Sequence, residues 1–187
     1  MLVQSISQIK NNKIQNNTGY KDISQKTVNN MTLPSYADAK SLVNMSFKAR
    51  IHDCAESGNW DGIQEELDKG VSVNKPNSSN NTPLNLAIKR KDSKIAERLL
   101  LHPDIDVNVQ NWHKDTALIL ASEQGMDDIV EKLIQRPDID VNAQNVHGST
   151  ALMAACRGMS DNTVIAEKLL NRSDIDVNIQ NRDKNTA

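Results

Sequence analysis

The histidines are the first residues of this chain to consider for metal binding or catalysis, because their ring nitrogens bind metals and transfer protons. The chain has four histidines, at positions 52, 102, 113 and 147. His113 and His147 lie 34 residues apart, at equivalent places in a repeated pattern. Zinc ligands lie about 2.0–2.1 Å from one ion, whereas equivalent atoms of adjacent packed helices lie about 8–10 Å apart. We therefore expect no metal at these two histidines.

Other catalytic patterns are absent from the sequence. It contains no glycine-rich phosphate loop, no His-Glu-x-x-His and no Cys-x-x-Cys. Acidic residues occur in pairs such as Glu65-Glu66 and Asp127-Asp128, which are typical of solvated helix faces. No set of residues combines a nucleophile, a base and an orienting group. The sequence therefore predicts no catalytic residue, no cofactor and no metal, and the chain is not expected to be an enzyme.

The two cysteines, Cys54 and Cys156, occupy positions where the repeated pattern places a small buried residue. They lie three repeats apart, much farther than the Cα separation of about 4.4–6.8 Å that a disulfide requires. We expect two buried free thiols, which suit a reducing compartment.

These residues belong to a sequence that repeats along the chain. One phrase recurs with spacings of 34, 34 and 36 residues: Asn-Thr-Pro-Leu at 81–84, Asp-Thr-Ala-Leu at 115–118, Ser-Thr-Ala-Leu at 149–152 and Asn-Thr-Ala at 185–187. A second phrase closes each unit: Val-Ser-Val-Asn at 71–74, then Ile-Asp-Val-Asn at 105–108, 139–142 and 175–178. A period in this range indicates a solenoid of stacked supersecondary units.

Local signals place two short helices in each unit. Thr82, Thr116 and Thr150 stand where a hydroxyl caps the first helical turn, and Pro83 follows at a position where its missing N–H costs nothing. Two apolar faces follow in the second unit: Leu84, Leu86, Ala87 and Ile88, then Ile95, Leu99 and Leu100. Neither short helix can bury its face alone, so we expect the next repeat to cover it.

These residues resemble the ankyrin repeat, in which Thr-Pro-Leu opens a helix, a pair of small residues follows and Asp-Val-Asn closes the unit. The resemblance covers residues 49–187 and implies an all-α solenoid of about four helix pairs with β-hairpin finger loops. The units run over about 49–81, 82–115, 116–149 and 150–185, with the start of a further repeat at 186–187. The sequence departs from the family where the usual His is Asn85, Ile119 or Met153 and where the turn glycine is Lys91.

The region before the repeats has a different composition. Residues 1–33 are rich in Asn, Gln, Ser, Thr and Lys, and we expect them to be disordered. Residues 34–48 contain capping-box spacing between Ser35 and Asp38. They predict either a helix that caps the first repeat or a continued flexible tail.

Charge and hydropathy limit the location and the partners. Residues 1–47 hold five Lys and two Asp, so the excess of acid lies in the repeats of this chain of net charge −2. This argues against nucleic acid as the main partner. No apolar run is long enough for a membrane span, and the first residues of the chain do not predict a secretory signal. We predict a cytoplasmic protein or, by a non-classical export route, one delivered into a host cell.

The ankyrin resemblance implies a binding face formed by the finger loops and the late residues of each first helix. The fingertips map to Trp112, His113, Val146 and His147, and the helix positions map to Lys89, Arg90, Glu123, Gln124 and Arg157. Trp112 is expected to contact a partner, because an exposed indole does not pack in the hydrophobic core. The alternative is that it folds back over the neighbouring finger near Val146. Lys89, Arg90 and Arg157 would form a basic rim suited to an acidic partner segment.

The closing asparagines allow a second interpretation. Asn108 and Asn178 stand in Leu-x-x-x-x-x-Asp-Val-Asn, which is similar to the site that an iron- and 2-oxoglutarate-dependent asparagine hydroxylase modifies in ankyrin repeats. The structural alternative is that the amide bonds to backbone in the turn. Both residues are thus candidates for hydroxylation as well as for a structural role.

We predict a non-catalytic scaffold that binds another protein, and its composition resembles that of host-directed ankyrin proteins of intracellular bacteria. One alternative is the targeting module of a larger enzyme whose catalytic domain follows residue 187, because the repeat begun at 186–187 suggests a fragment. Another is self-association through an uncapped face of the fourth repeat. That face is expected to include Leu152, Val164, Ile165 and Leu169.

Overall fold

The computed structural model describes residues 51–157 and 163–187. These residues form eight α-helices in four consecutive pairs: α1 (Ile51–Ser57), α2 (Trp60–Asp68), α3 (Pro83–Lys89), α4 (Ser93–Leu100), α5 (Ala117–Gln124), α6 (Asp127–Ile134), α7 (Ala151–Arg157) and α8 (Thr163–Leu170). The predicted tail at 1–33 and capping helix at 34–48 lie outside the described residues.

The helices pack in two rows. The first helices of the pairs, α1, α3, α5 and α7, contact one another in chain order, and each also contacts the second helix of its own pair. In the other row, α4 packs on α6 and α6 packs on α8. The expected all-α repeat solenoid is therefore confirmed.

Buried aliphatic side chains fill the space between the rows. Leu84, Leu118 and Leu152 stand two residues after each capping threonine and are at most 2% exposed. Burying one such leucine contributes about 1.5–3 kcal/mol. Three residues further along, Ala87 and Ala121 are fully buried, and their small side chains let adjacent first helices approach closely.

The predicted caps are confirmed at the first helices. Thr82 Oγ1 accepts a hydrogen bond from the N–H of Asn85, at 3.2 Å, and Pro83 occupies the first helical position. Thr116 and Thr150 accept the equivalent bonds from Ile119 and Met153, each at 3.3 Å. Each hydroxyl satisfies a donor that the helix itself leaves unpaired.

Each finger is a tight turn organised by one asparagine. The N–H of Asn111 donates to the carbonyl of Asp115 at 3.1 Å, and the N–H of Lys114 donates to the carbonyl of Asn111 at 2.8 Å. Asn111 Oδ1 also accepts from the N–H groups of His113 and Asp115. The same arrangement recurs at Asn77, Asn145 and Asn181. Residues 51–157 and 163–187 contain no strand, so the β-hairpins expected here are not confirmed. The N–H of Asp115 donates to the side chain of Asn111 rather than to its backbone carbonyl.

Neighbouring fingers are joined by backbone hydrogen bonds between their tips. The N–H of Trp112 donates to the carbonyl of Ser79 at 3.3 Å, and the N–H of Val146 donates to the carbonyl of His113 at 2.8 Å. Arg182 continues the series with the carbonyl of His147 at 3.0 Å. Each tip therefore holds the tip of the preceding finger in register.

The asparagine that closes each repeat bonds to the repeat that follows. Asn74 Nδ2 donates to the carbonyl of Asp104 at 2.7 Å, and Asn74 Oδ1 accepts from the N–H of Asp106 at 2.9 Å. Both polar atoms of the amide are thus used across the boundary. The same two bonds join Asn108 to Asp138 and Asp140, and Asn142 to Asp174 and Asp176.

An arginine adds a second link between the repeats. Arg136 forms a two-point ion pair with Asp138, with N–O distances of 2.9 and 2.8 Å, and also donates to the carbonyl of Ile105 in the preceding unit. The hydrogen bond from Arg136 lowers the pKa of Asp138. Arg172 repeats the arrangement with Asp174 and the carbonyl of Ile134, and lowers the pKa of Asp174.

Two sequence expectations about buried residues were wrong in part. Cys54 is buried, and burial raises the pKa of its thiol, but Cys156 is exposed. The residue equivalent to Cys156 in α5, Ser122, is fully buried because α7 follows α5, whereas no further first helix follows α7 in the described residues. On the face expected to be uncapped, Leu152, Ile165 and Leu169 are buried between α7 and α8.

The apolar side chains that are exposed in the fourth repeat are largely different ones. Val164, which was expected, is 48% exposed, together with Leu170 and Val177. The interior side chains of α7 and α8 are covered by each other, so this exposed set is smaller than the uncapped face predicted from the sequence.

Asn108→Ala is expected to lower the free energy of unfolding by about 1–3 kcal/mol, because both bonds to the following repeat are lost. Asn178→Ala removes the same side chain where no bond to a following repeat is found among residues 163–187, and should change stability by less than about 0.5 kcal/mol. Urea unfolding followed by circular dichroism measures both. Equal losses would contradict the bridging role.

Lys91→Gly should raise the free energy of unfolding by about 0.5–1 kcal/mol. Lys91 has φ +57°, and the equivalent residues Gly58 and Gly125 adopt the same left-handed conformation without a Cβ. Lys91→Ala is the matched control, since it removes the side chain but keeps the Cβ that causes the strain. A thermal melt in which both variants gain equally would attribute the effect to charge instead.

The double variant Arg136→Met, Arg172→Met should be less stable than the wild type at about pH 6, and the difference should shrink at about pH 2. The two aspartates have lowered pKa values in the folded protein. Their contribution is therefore complete above the unfolded pKa of about 3.9 and is lost as pH falls through the folded value. Melting temperatures across this range test it, and a constant difference would show that the ion pairs contribute nothing.

Candidate functional site

The predicted site residues lie on the tips of the fingers and in the last turns of the first helices. Trp112, His113 and His147 are exposed at the tips, and Val146 is half-buried. In the helices, Lys89, Arg90, Glu123 and Arg157 are exposed and Gln124 is half-buried. We call these nine residues the finger-and-helix face.

Trp112 combines an ordered backbone with an accessible side chain. Its N–H is bonded to the preceding finger, and its own finger is closed by Asn111. The indole nevertheless remains 72% exposed, so Val146 and its finger leave most of it uncovered. Trp60, by contrast, is half-buried and has the guanidinium of Arg98 5.1 Å from its ring centroid.

The helix positions and the fingers lie on the same side of the array. Arg157, in the last turn of α7, extends back along the helix, and its Nη1 donates to Oγ of Ser149 at 3.1 Å. Ser149 is the final residue of the finger that leads into α7. Lys89 and Glu123 occupy the same place as Arg157, seven residues after the capping threonine, and thus project from the same side of their own repeats.

Charged side chains of the finger-and-helix face lack the ion pairs that charged side chains of the second helices form. On the second helices, Lys132 pairs with Glu97 at 3.9 Å, and Lys168 pairs with Glu131 at 2.6 Å. The remaining ion pairs of residues 51–157 and 163–187 join Lys69 to the end of α2, Lys168 to Asp127, and the two arginines of the repeat boundaries to their aspartates. None of them includes Lys89, Arg90, Glu123 or Arg157, so no opposite charge of the described residues neutralises these four side chains.

The two histidines of this face lie apart from each other. His113 and His147 stand on separate fingertips, and the part of the chain that the structure describes holds no group of three or more His, Cys, Asp or Glu placed to bind a metal. None of its helices is long and apolar enough to cross a membrane.

The two candidate hydroxylation sites differ in accessibility. Asn108 is half-buried, and both polar atoms of its amide are bonded to the next repeat. Asn178 is exposed, and its side chain has no hydrogen bond within the described ranges. Asn108 therefore has the structural role at the repeat boundary, and hydroxylation of either residue stays a prediction.

The prediction from the sequence omitted residues that shape this face. The finger-organising asparagines 77, 111, 145 and 181 recur with the repeat period, and that period was the signal that could have identified them. It also overlooked His52, which occupies the position where the family has its usual histidine. His52 is 5% exposed, and its Nε2 lies 2.5 Å from the carbonyl of Lys75 at the base of the first finger. At the equivalent position of α3, Nδ2 of Asn85 is buried without a hydrogen-bond partner.

Comparison with known proteins agrees with this architecture. A family model described as ankyrin repeats (3 copies) matches residues 51–145 and 113–181. No curated protein matches the chain. The matched residues carry the capping threonines, the closing asparagines and the eight helices described above. The chain therefore belongs to the ankyrin-repeat family, whose repeats are in general protein–protein interaction modules.

Proposed function

We propose that this chain is a non-catalytic scaffold that binds a partner protein through the finger-and-helix face. The observation that carries the proposal is Trp112, whose indole is 72% exposed although its backbone is fixed on both sides. Tryptophan and arginine are enriched among the residues that dominate interface energies. Trp112 would therefore supply most of the affinity, with Arg157 as a second and weaker anchor.

The order of the fingers supports the proposal, because binding by an ordered surface avoids the entropic cost of fixing it. Each fingertip donates a backbone hydrogen bond to the finger before it, and each finger is closed by the side chain of its own asparagine. The exposed side chains thus project from a backbone that is already in place before a partner arrives.

Delivery into a host cell and attachment to a catalytic domain are predictions from the sequence alone. The exposed cations Lys89, Arg90 and Arg157 do favour a partner that carries acidic side chains at the contact, since oppositely charged groups steer association and set specificity.

The double variant Trp112→Ala, Arg157→Ala should retain a partner from a eukaryotic lysate at least about tenfold less well than the wild type, as loss of two interface anchors would require. The matched control is Leu101→Ala, Lys132→Ala. It removes an exposed apolar side chain and an exposed cation outside the face, where Leu101 is 83% exposed. Quantitative mass spectrometry of the retained proteins gives the ratio.

Circular dichroism of all three proteins must be identical for the comparison to hold. If the double variant and its control retain the same proteins equally, the contact lies outside the finger-and-helix face. If the control loses the partner and the double variant keeps it, the binding surface is the second-helix row.

A further inference from the structure

The charged residues of the first helices alternate in sign along the array. Seven residues after each capping position, the four repeats carry Glu56, Lys89, Glu123 and Arg157. Glu56 extends the finger-and-helix face into the first repeat, because it lies two residues after Cys54, which is buried at the position equivalent to Ala87. All four side chains are exposed.

These four residues form no ion pair in the part of the chain that the structure describes. Distance between repeats alone does not explain this. On the second helices, charges of adjacent repeats do meet: Lys132 pairs with Glu97 and Lys168 pairs with Glu131. The second helices therefore neutralise charges between adjacent repeats, whereas the first helices leave their charges facing outward.

The spacing of these charges matches an extended polypeptide. Adjacent packed helices lie about 8–10 Å apart, and a chain in the extended polyproline II conformation advances about 3.1 Å per residue with three residues per turn. In such a segment running along the first helices, every third side chain would therefore point toward the array and lie opposite one repeat. Successive contacts would meet glutamate, lysine, glutamate and arginine in turn.

We propose that the finger-and-helix face binds an extended protein segment with charges of alternating sign at every third residue. This inference rests on the proposed function and names the chemistry of its partner. From the first repeat to the fourth, the segment carries a base opposite Glu56, an acid opposite Lys89, a base opposite Glu123 and an acid opposite Arg157. Exposed ion pairs contribute little affinity each, so Trp112 supplies affinity while the charges select the segment and its register.

A uniformly charged polymer fits this face less well. A nucleic acid strand carries one negative charge per nucleotide, so it would meet Glu56 and Glu123 as well as the two cations. A purely acidic peptide meets the same two repulsions. The alternation of sign thus favours a mixed-charge protein segment over either.

The test uses a display library of random 12-residue peptides selected on the full chain. Peptides enriched on the wild type should carry opposite charges three residues apart, and they should bind Trp112→Ala about tenfold or more weakly. The decisive variant is Lys89→Glu, Glu123→Lys, which keeps the net charge but reorders the signs along the face. It should bind the wild-type peptides about tenfold more weakly, and its own selection should enrich two neighbouring bases followed by two acids.

The matched control is Glu97→Lys, Lys132→Glu, which exchanges a pair of opposite charges between the same two repeats on the other row. It should bind the wild-type peptides unchanged. Circular dichroism checks that each variant is folded.

Peptides that need Trp112 but show no three-residue alternation, or that ignore the exchange at 89 and 123, overturn the inference and leave the proposed function standing. Peptides that bind Trp112→Ala as well as the wild type contradict the proposed function itself. A selection that enriches nothing overturns the inference, because a linear segment is the stated ligand. Tighter binding of a single-stranded 20-mer DNA than of the selected peptides overturns it as well.

Discussion

The stacking of repeats depends on the hydrogen bonds that the side-chain amide of the closing asparagine makes to the following repeat. Asn74, Asn108 and Asn142 each use both polar atoms on the backbone of the following repeat. A side chain that both donates and accepts fixes two backbone groups at once, so it sets distance and orientation together. The apolar contacts between first helices are not directional, and they gain a unique register from these bonds.

The fingers follow from the same constraint. Once successive repeats are held in register, each fingertip lies within bonding distance of the previous one, and backbone bonds such as Val146 to His113 can form. The side chains of these tips are then not needed to hold the fingers together, because backbone hydrogen bonds do so. This explains how Trp112 can remain exposed on an ordered loop, and why exposed tip residues are free to differ between repeats while the asparagines beneath them recur.

The two rows of helices differ in whether their charged side chains form ion pairs between repeats. Second helices place Glu97 and Lys132, or Glu131 and Lys168, where long side chains meet across the boundary, and this adds modest stability at the surface. First helices present Lys89 and Glu123 without such partners. Asparagine and arginine side chains already hold the repeats in register, so ion pairs between the first helices are not needed for that purpose. The charges of the first helices therefore remain available to another molecule.

The period, the capping threonines, the helix pairs and most of the buried positions could be predicted from the sequence. These signals are local: a hydroxyl bonds its own first turn, and an apolar stripe shows within eight residues. The tertiary structure was needed to show that Cys156 is exposed, that Leu152, Ile165 and Leu169 are buried, how the fingers close and which charges pair. The exposure of Cys156 and the ion pairs depend on an adjacent repeat, the burial of the three apolar residues depends on the packing of α7 against α8, and the fingers depend on the backbone groups that the asparagine side chains reach. No local pattern of residue types records these contacts.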